Sequence, residues 1–196
     1  LIVVASGGYL FFALILTMLT AIVLGMGLPT TAAYLVLATV VAPALANMGM
    51  PLLTAHLFVF FYGCVSTITP PVALASYVAA GIANADINRV GWTAFFYGIT
   101  CYILPYMFVF GPALMLDGSI GPIVLAIVSG GFGVFGIAAA VIGFAKAPLA
   151  VWSRIIMAAA GIALLYQGWI SDVIGLIILV SIVWGVKFPF KNKQTP

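Results

Sequence analysis

From Leu52 to Ala83 the chain runs 32 residues without a formal charge, and midway it meets STITPP, Ser66 to Pro71. Two consecutive prolines cannot continue a helix, because each lacks an N–H and each disfavours α geometry in the residue before it. A stretch long enough to cross a bilayer must therefore break near Thr69. A second interruption, GMGLPTT from Gly25 to Thr31, separates two shorter apolar runs, Tyr9 to Leu24 and Ala32 to Ala46, the latter broken by Pro43. As helices these runs are about 24 and 22 Å long, against the roughly 30 Å of hydrocarbon that a full span crosses. Two architectures are open: a helix unwound at its middle, or a re-entrant hairpin of two half-helices. Short arms that meet at a Gly/Pro tip favour the hairpin.

Composition sets the surroundings of these breaks. Of 196 residues 66% are hydrophobic and 5% are charged, with six basic and three acidic side chains. A soluble domain carries about 25% charged residues, so a water-soluble globule is excluded. Intrinsic disorder is excluded too, since 13% of the residues are aromatic and disordered chains are polar. The class that remains is an all-α integral membrane protein, with the lipid bilayer as its partner. The net charge of +3 comes from few groups, and no basic run lies on a polar face, so no nucleic-acid partner is expected. Cys64 and Cys101 read as free core cysteines. His56 is the one histidine and no CxxC is present, so a Cys/His metal cluster is not expected. The opening LIVVASGG lacks the basic region of a signal peptide. The expectation is a chain that starts inside a longer protein and runs to a natural C-terminus.

Downstream, Asn47 to Pro51 reads as a turn and Asn84 to Arg89 as a charged loop. Gly91 to Met115 reads as a span kinked at Pro105, followed by a turn from Leu116 to Ser119. Ile120 to Ala145 is a span rich in glycine, which lets helices approach closely, and Lys146 to Arg154 is a loop. Ile155 to Trp184 is either one long helix or two short ones turning at Gln167 to Asp172. One helix would place Asp172 near mid-membrane, at a cost of several kcal/mol. Two helices put Arg89, Lys146, Arg154, Lys187, Lys191 and Lys193 on one side, which the positive-inside rule assigns to the cytoplasm together with the basic tail KFPFKNKQTP. The expected divisions are a hairpin at 1–50, a broken transmembrane helix at 51–87, a transmembrane helix at 88–116 and a C-terminal membrane extension at 117–196.

On this topology both breaks lie near mid-membrane. Broken helices survive there only where they are buried in protein or line a wet cavity. Unwound carbonyls and Ser/Thr hydroxyls can replace the water around a hard cation such as Na⁺, and half-helix N-termini suit a carboxylate. Paired interruptions are the best sequence pointer to a transporter site. A lone Pro or Gly is more often a simple kink, but two multi-residue breaks with several hydroxyls are less easily kinks. No titratable group lies at either break, which favours Na⁺ over a proton. Elsewhere the bland readings prevail: His56 as an interfacial side chain, Asp86 with Arg89 as a loop or helix-cap pair, and Asp172 as a turn residue. Thr17, Thr20 and Thr39 are expected to bond back within their own helices, and Trp92 and the tyrosines near span ends to anchor at the interface. Membrane proteases need Ser/His, paired Asp or a zinc site, and none of these is legible, so an enzyme is not expected. No ring of charge or filter repeat suggests a channel.

LGMGLPTTAAY (Leu24 to Tyr34) and ITPPVALASYVAAGIANAD (Ile68 to Asp86) resemble the large membrane subunit of TRAP transporters, the tripartite ATP-independent periplasmic family. They are most similar to the fused permeases that pair with TAXI-type binding proteins. The likeness covers residues 1 to about 116, and GWISDVIGLIIL from Gly168 resembles the C-terminal extension of those permeases. The resemblance implies the second half of an inverted-repeat, elevator-type fold, with GMGLPTT as hairpin tip and STITPP as the break of its partner helix. It implies sodium-driven uptake of an organic acid, with Na⁺ as coupling ion and no other cofactor. The implied partners are a periplasmic TAXI-type binding protein and a small membrane subunit, or a fused N-terminal region with the other repeat. The implied ligands for Na⁺ or carboxylate are Gly25, Gly27, Thr30, Thr31, Ser66, Thr67 and Thr69. Sodium would fall to Gly25, Thr30, Thr67 and Thr69, while Pro29, Pro70 and Pro71 hold the breaks open. Many non-TAXI members carry an aspartate where this chain has Pro29 or Thr30. Arg89, in a loop, is a poor candidate for the substrate carboxylate. The competing reading is a non-transporting scaffold or assembly module.

Overall fold

The computed structural model describes residues 2–166 and 168–185, and among them the regular structure is helical apart from one isolated bridge, Phe144 to Pro148. The chain forms two compact units, Leu1–Val109 and Phe110–Pro196. The positions of Gln167, Lys187, Lys191 and Lys193, and of the tail, lie outside the described residues.

The first unit opens with a single turn, α1 (Ile2–Ala5), and then α2 (Leu10–Gly25). α2 ends at Gly25-Met26-Gly27, where Gly27 takes φ +79, a conformation open to glycine at little cost. Pro29 then restarts the chain as α3 (Thr30–Val40). Pro43 cannot donate to the Thr39 carbonyl, and the helix pauses at Val41 before α4 (Ala42–Ala46). After a turn with Gly49 at φ +91, Pro51 precedes α5 (Leu52–Val65), which tightens into a 3₁₀ turn at Ser66–Ile68. The chain then breaks, with a cis Pro70–Pro71 peptide, and resumes as α6 (Leu74–Ile82). α7 (Ile87–Tyr97) and α8 (Ile99–Phe110) follow, meeting at Gly98.

The core of this unit is α5, enclosed by α2, α3 and α4. Ala13, Leu14, Leu37, Leu45, Phe58 and Tyr62 are all fully buried there. α8 is fastened to α5 by aromatic edges: Phe58 to Tyr106 at 5.4 Å and Phe61 to Phe108 at 5.3 Å between ring centres, a geometry that adds about 0.5–1.5 kcal/mol per pair beyond burial.

The second unit continues through a 3₁₀ turn (Pro112–Met115) into α9 (Ile120–Ile142), α10 (Val151–Leu165) and α11 (Trp169–Val183). Glycine lets these helices close on one another. A Cβ at Gly161 would lie 2.8 Å from the Gly133 carbonyl, and one at Gly175 3.0 Å from the Ala160 carbonyl. α9 ends at Gly143 (φ +77), and its last carbonyls are capped by the Arg154 guanidinium, 2.7 Å to Ala140 O and 2.8 Å to Val141 O.

Two helical stretches among the described residues are long and apolar enough to cross a bilayer, α7 with α8 (Ile87–Phe110, 24 residues) and α9 (Ile120–Ile142, 23 residues). The stretch from Ile155 to Trp184 is two helices, α10 and α11, not one. Several expectations need correction. Arg89 is in the first turn of α7, not in a loop; Asp86 is the N-cap, accepting the Arg89 N–H at 2.7 Å, so the helix starts where the charged residues fall. Arg154 likewise sits in the first turn of α10, where it caps α9. The interruption between residues 91 and 115 falls at Gly98, while Pro105 is carried inside α8. Asp172 is not a turn residue; it is buried in the first turn of α11, and the Ser171 hydroxyl holds the turn by donating to Gly168 O at 2.7 Å. Thr39 bonds back to Leu35 O and Val36 O, both at 3.0 Å, but Thr17 does not: its hydroxyl is buried without a hydrogen-bond partner. Cys64 and Cys101 are free and half-buried.

Candidate functional site

α2 carries a stripe of small side chains at four-residue spacing, Ala13, Thr17, Ala21 and Gly25, all buried. Residues four apart share a helix face, so this stripe lets α2 lie close against α5 and the 3₁₀ turn that follows it. The contact is tightest at its end. A Cβ on Gly25 would collide with Ser66 Oγ and lie 2.9 Å from Ser66 Cβ. A Cβ on Gly27 would lie 3.9 Å from Val72. The fold thus brings the two breaks together: GMG of one against the Ser66–Val72 segment of the other. Gly63, one turn before Ser66, faces α3 instead, with Leu37 and Ala33 within 3.8 Å of its Cβ position.

The three hydroxyls of STITPP share one job. Ser66 Oγ donates to Gly63 O at 2.6 Å, Thr67 Oγ1 to Cys64 O at 2.7 Å and Thr69 Oγ1 to Val65 O at 2.7 Å. These carbonyls belong to the last turn of α5, where backbone partners run out. Each hydroxyl has one proton and two lone pairs, so donating the proton leaves its oxygen as an acceptor. With the Thr69 proton on Val65 O, the Tyr102 hydroxyl 2.6 Å away donates to Thr69 Oγ1. One Thr69 lone pair is then left over. Ser66 is fully buried, Thr69 is buried and Thr67 is half-buried.

The break is backed by the α7–α8 rod. Gly91 gives room to Tyr77, whose ring edge would lie 2.8 Å from a Cβ there, and Gly98 gives room to Ile68, 2.5 Å from a Cβ there. Tyr77 donates to Pro71 O at 2.6 Å, and Tyr62 donates to Tyr102 O at 2.5 Å. Gly91, Gly98 and Tyr102 recur at seven and four residues, one face of a helix. That spacing was the available signal for residues the sequence reading missed. Two further features had no signal. Ala73, fully buried at the start of α6, adopts φ +32 in the left-handed region, where a non-glycine residue costs about 1–2 kcal/mol. Ser76, in the first turn of α6, is buried and its hydroxyl has no hydrogen-bond partner.

Of the expected ligands, Gly25, Gly27, Ser66 and Thr69 are gathered at this contact, with Thr67 beside them. Thr30 and Thr31 stand exposed in the first turn of α3 and are not part of it, and Pro29 and Pro71 are exposed as well. His56 is engaged elsewhere, 3.0 Å from Tyr34 Oη through Nδ1. Among the described residues no group of three His, Cys, Asp or Glu side chains could hold a metal ion. The arrangement offers carbonyl and hydroxyl oxygens beside an unwound backbone, which suits a hard cation and provides no nucleophile or acid–base pair.

An all-helical protein with two interrupted helices packed break to break has the anatomy of a membrane carrier. Residues 1–123 match the family model described as tripartite ATP-independent periplasmic transporter, DctM component, and the chain belongs to that family. It is therefore a large membrane component of a TRAP transporter, a membrane transport protein of a family that is not an enzyme family. Membership implies partnership with a substrate-binding protein and a small membrane component. No curated protein and no solved structure matched the chain.

Proposed function

We propose that this chain forms the second half of a sodium-coupled permease that imports an organic acid delivered by a TAXI-type periplasmic binding protein. The observation that carries the reading is the Gly25–Ser66 contact, which seats one helix break directly on the other. Backbone and hydroxyl oxygens of Gly25, Gly27, Ser66, Thr67 and Thr69 supply the cation's ligands, and the exposed first turn of α3, with Thr30 and Thr31, offers N–H groups to the substrate carboxylate. Pro29, Pro70 and Pro71 keep the backbone from closing into continuous helices. α2 and α3 act as the arms of a re-entrant hairpin, which with α5 and α6 moves as an elevator, and the other repeat and the small-subunit helices are supplied by a fused region or a separate chain. The protein is multi-pass with its C-terminus in the cytoplasm.

The test is uptake by the complete transporter in proteoliposomes, with its binding protein, with and without an inward sodium gradient. Uptake that requires both, and that Thr69→Ala abolishes while the purified variant stays folded, supports the reading. Uptake indifferent to sodium overturns the coupling ion, and uptake unaffected by Thr69→Ala overturns the site. A non-transporting scaffold has no observation in its favour beyond the glycine-rich packing of α9 to α11.

A further inference from the structure

The second unit contains a feature that transport at the breaks does not use. α9, α10 and α11 line a half-open pocket of about 260 Å³. Its walls are apolar, formed by Leu125, Val128 and Phe132 of α9, Leu164 of α10, and Val173 and Leu176 of α11. Two polar side chains interrupt them, Ser129 and Asp172. Asp172 is 7% exposed, and its Oδ1 has no hydrogen-bond partner. Ser129 Oγ lies 3.5 Å from the Ala126 carbonyl, a contact too long to hold its hydroxyl firmly. No basic side chain lines the cavity among the described residues.

An acidic residue in the first turn of a helix is favoured by the helix dipole. That accounts for an aspartate at this position facing water, but not for one facing an apolar cavity. A carboxyl group withdrawn from water either keeps its proton or pairs with a positive group, and the open space beside Asp172 gives room for the second. A hard metal cation is a poor match, since it asks for about six oxygens and the cavity has two polar side chains. An alkylammonium matches better: its three N–H donors meet Asp172 and Ser129, and its chain meets the apolar walls. The cavity is slightly smaller than the roughly 300–1,000 Å³ usual for small-molecule sites, enough for a headgroup and the first part of one chain. Its depth fits too. Tyr166 and Trp169, 80% and 73% exposed, mark the end of the helical pair as aromatic residues do at a lipid–water boundary, and Asp172 lies about one turn, 5 Å, further in.

We propose that this cavity binds the head of a primary-ammonium amphiphile, with the ammonium paired to Asp172 and hydrogen-bonded to Ser129. The shared chemistry is that of an alkylammonium and of an ammonium-bearing phospholipid. The experiment uses the full chain with Trp92, Trp152 and Trp184 changed to Phe, so that Trp169 at the cavity reports binding by fluorescence. Dodecylammonium should give a saturable change that Asp172→Asn weakens at least about tenfold, while Asp172→Glu retains it. Dodecanol, with the same chain and no charge, should bind at least about tenfold more weakly. If Asp172→Asn does not fold, Leu125→Phe narrows the cavity and keeps the carboxylate, and it should block the change. Repeating the titration in phosphatidylethanolamine and phosphatidylglycerol nanodiscs separates the sources: competition in the former alone identifies the phospholipid, and equal curves identify the free amine. Binding that survives Asp172→Asn, equal binding of dodecanol, or binding that Leu125→Phe leaves unchanged overturns the proposal.

Discussion

Both units of this protein use glycine to bring helices close, but they do so to different ends. In the second unit, Gly133, Gly161 and Gly175 lie inside continuous helices, and each faces a neighbouring backbone carbonyl across the helix contact. The ladders stay intact, and the gain is close packing. In the first unit, Gly25 is the last residue of a helix and meets Ser66 where another helix has just ended its regular course. There the regular helix gives way to a 3₁₀ turn, and side-chain hydroxyls donate to the last carbonyls of α5. Continuous helices with glycine make a rigid bundle; interrupted helices with glycine make a place where oxygens converge. The difference is between the packing of continuous helices and the packing of helix ends whose last carbonyls accept side-chain hydroxyls.

The sharpest test of that contrast is Gly25→Ala. Its methyl would meet Ser66, whose hydroxyl is already held on Gly63 O, so the two breaks must separate. Uptake by the complete transporter should fall by tenfold or more, equivalent to about 1.4 kcal/mol, with helical content by circular dichroism unchanged. Uptake at the parental level would mean that the contact between the breaks is incidental. Comparable in size is Gly161→Val. The new side chain would press on the Gly133 carbonyl and on Ile137, and such overpacking costs about 1–3 kcal/mol. A clear drop in the thermal midpoint of the purified protein is expected, and an unchanged midpoint would show that α9 and α10 can part without loss.

Smaller effects refine the picture of the break. Tyr102→Phe removes the donor to Thr69 and should destabilise by about 1 kcal/mol and lower the apparent sodium affinity, read from uptake against sodium concentration. A lower midpoint with unaltered sodium dependence would assign Tyr102 to structure alone. Ala73→Gly relieves a left-handed backbone worth about 1–2 kcal/mol but loosens the unfolded chain by about 0.5–1 kcal/mol. The net expectation is a slight rise in midpoint, and a fall would mean that the Ala73 methyl packs more than it strains. Least of all, Thr39→Val should shift the midpoint by less than about 0.5 kcal/mol, because the hydroxyl only doubles contacts on an exposed helix face.

Much of the first unit's course was legible in residue order. Consecutive prolines at 70 and 71 forbid a helix whatever surrounds them, and GMGLP stops one by glycine freedom and a missing N–H. At the end of the chain, residue order left one long helix or two short ones open, and the cost of burying Asp172 at mid-membrane favoured the two that form. Helix starts were less legible: Arg89 and Arg154 looked like loop residues because charge marks a boundary without saying on which side of it the helix begins. The contact between the breaks was only partly legible. Gly25 and Ser66 were named for their chemistry, but nothing in sequence spacing says that residues 41 positions apart touch. Thr30 and Thr31 were named by the same logic and stand outside that contact.

What the sequence determined by itself is therefore the local part: a membrane-embedded chain with few charges, apolar stretches that become helix, and two places where helix cannot continue. Each follows from properties a residue carries with it, such as a missing N–H, an absent Cβ or the solvation cost of a charge. The tertiary structure alone decided which break meets which, that the hydroxyls of Ser66, Thr67 and Thr69 turn back on the end of α5, that Tyr102 reaches Thr69, and that Asp172 faces a cavity. Those outcomes depend on how closely whole helices can approach, and that distance is set jointly by surfaces far apart in the chain.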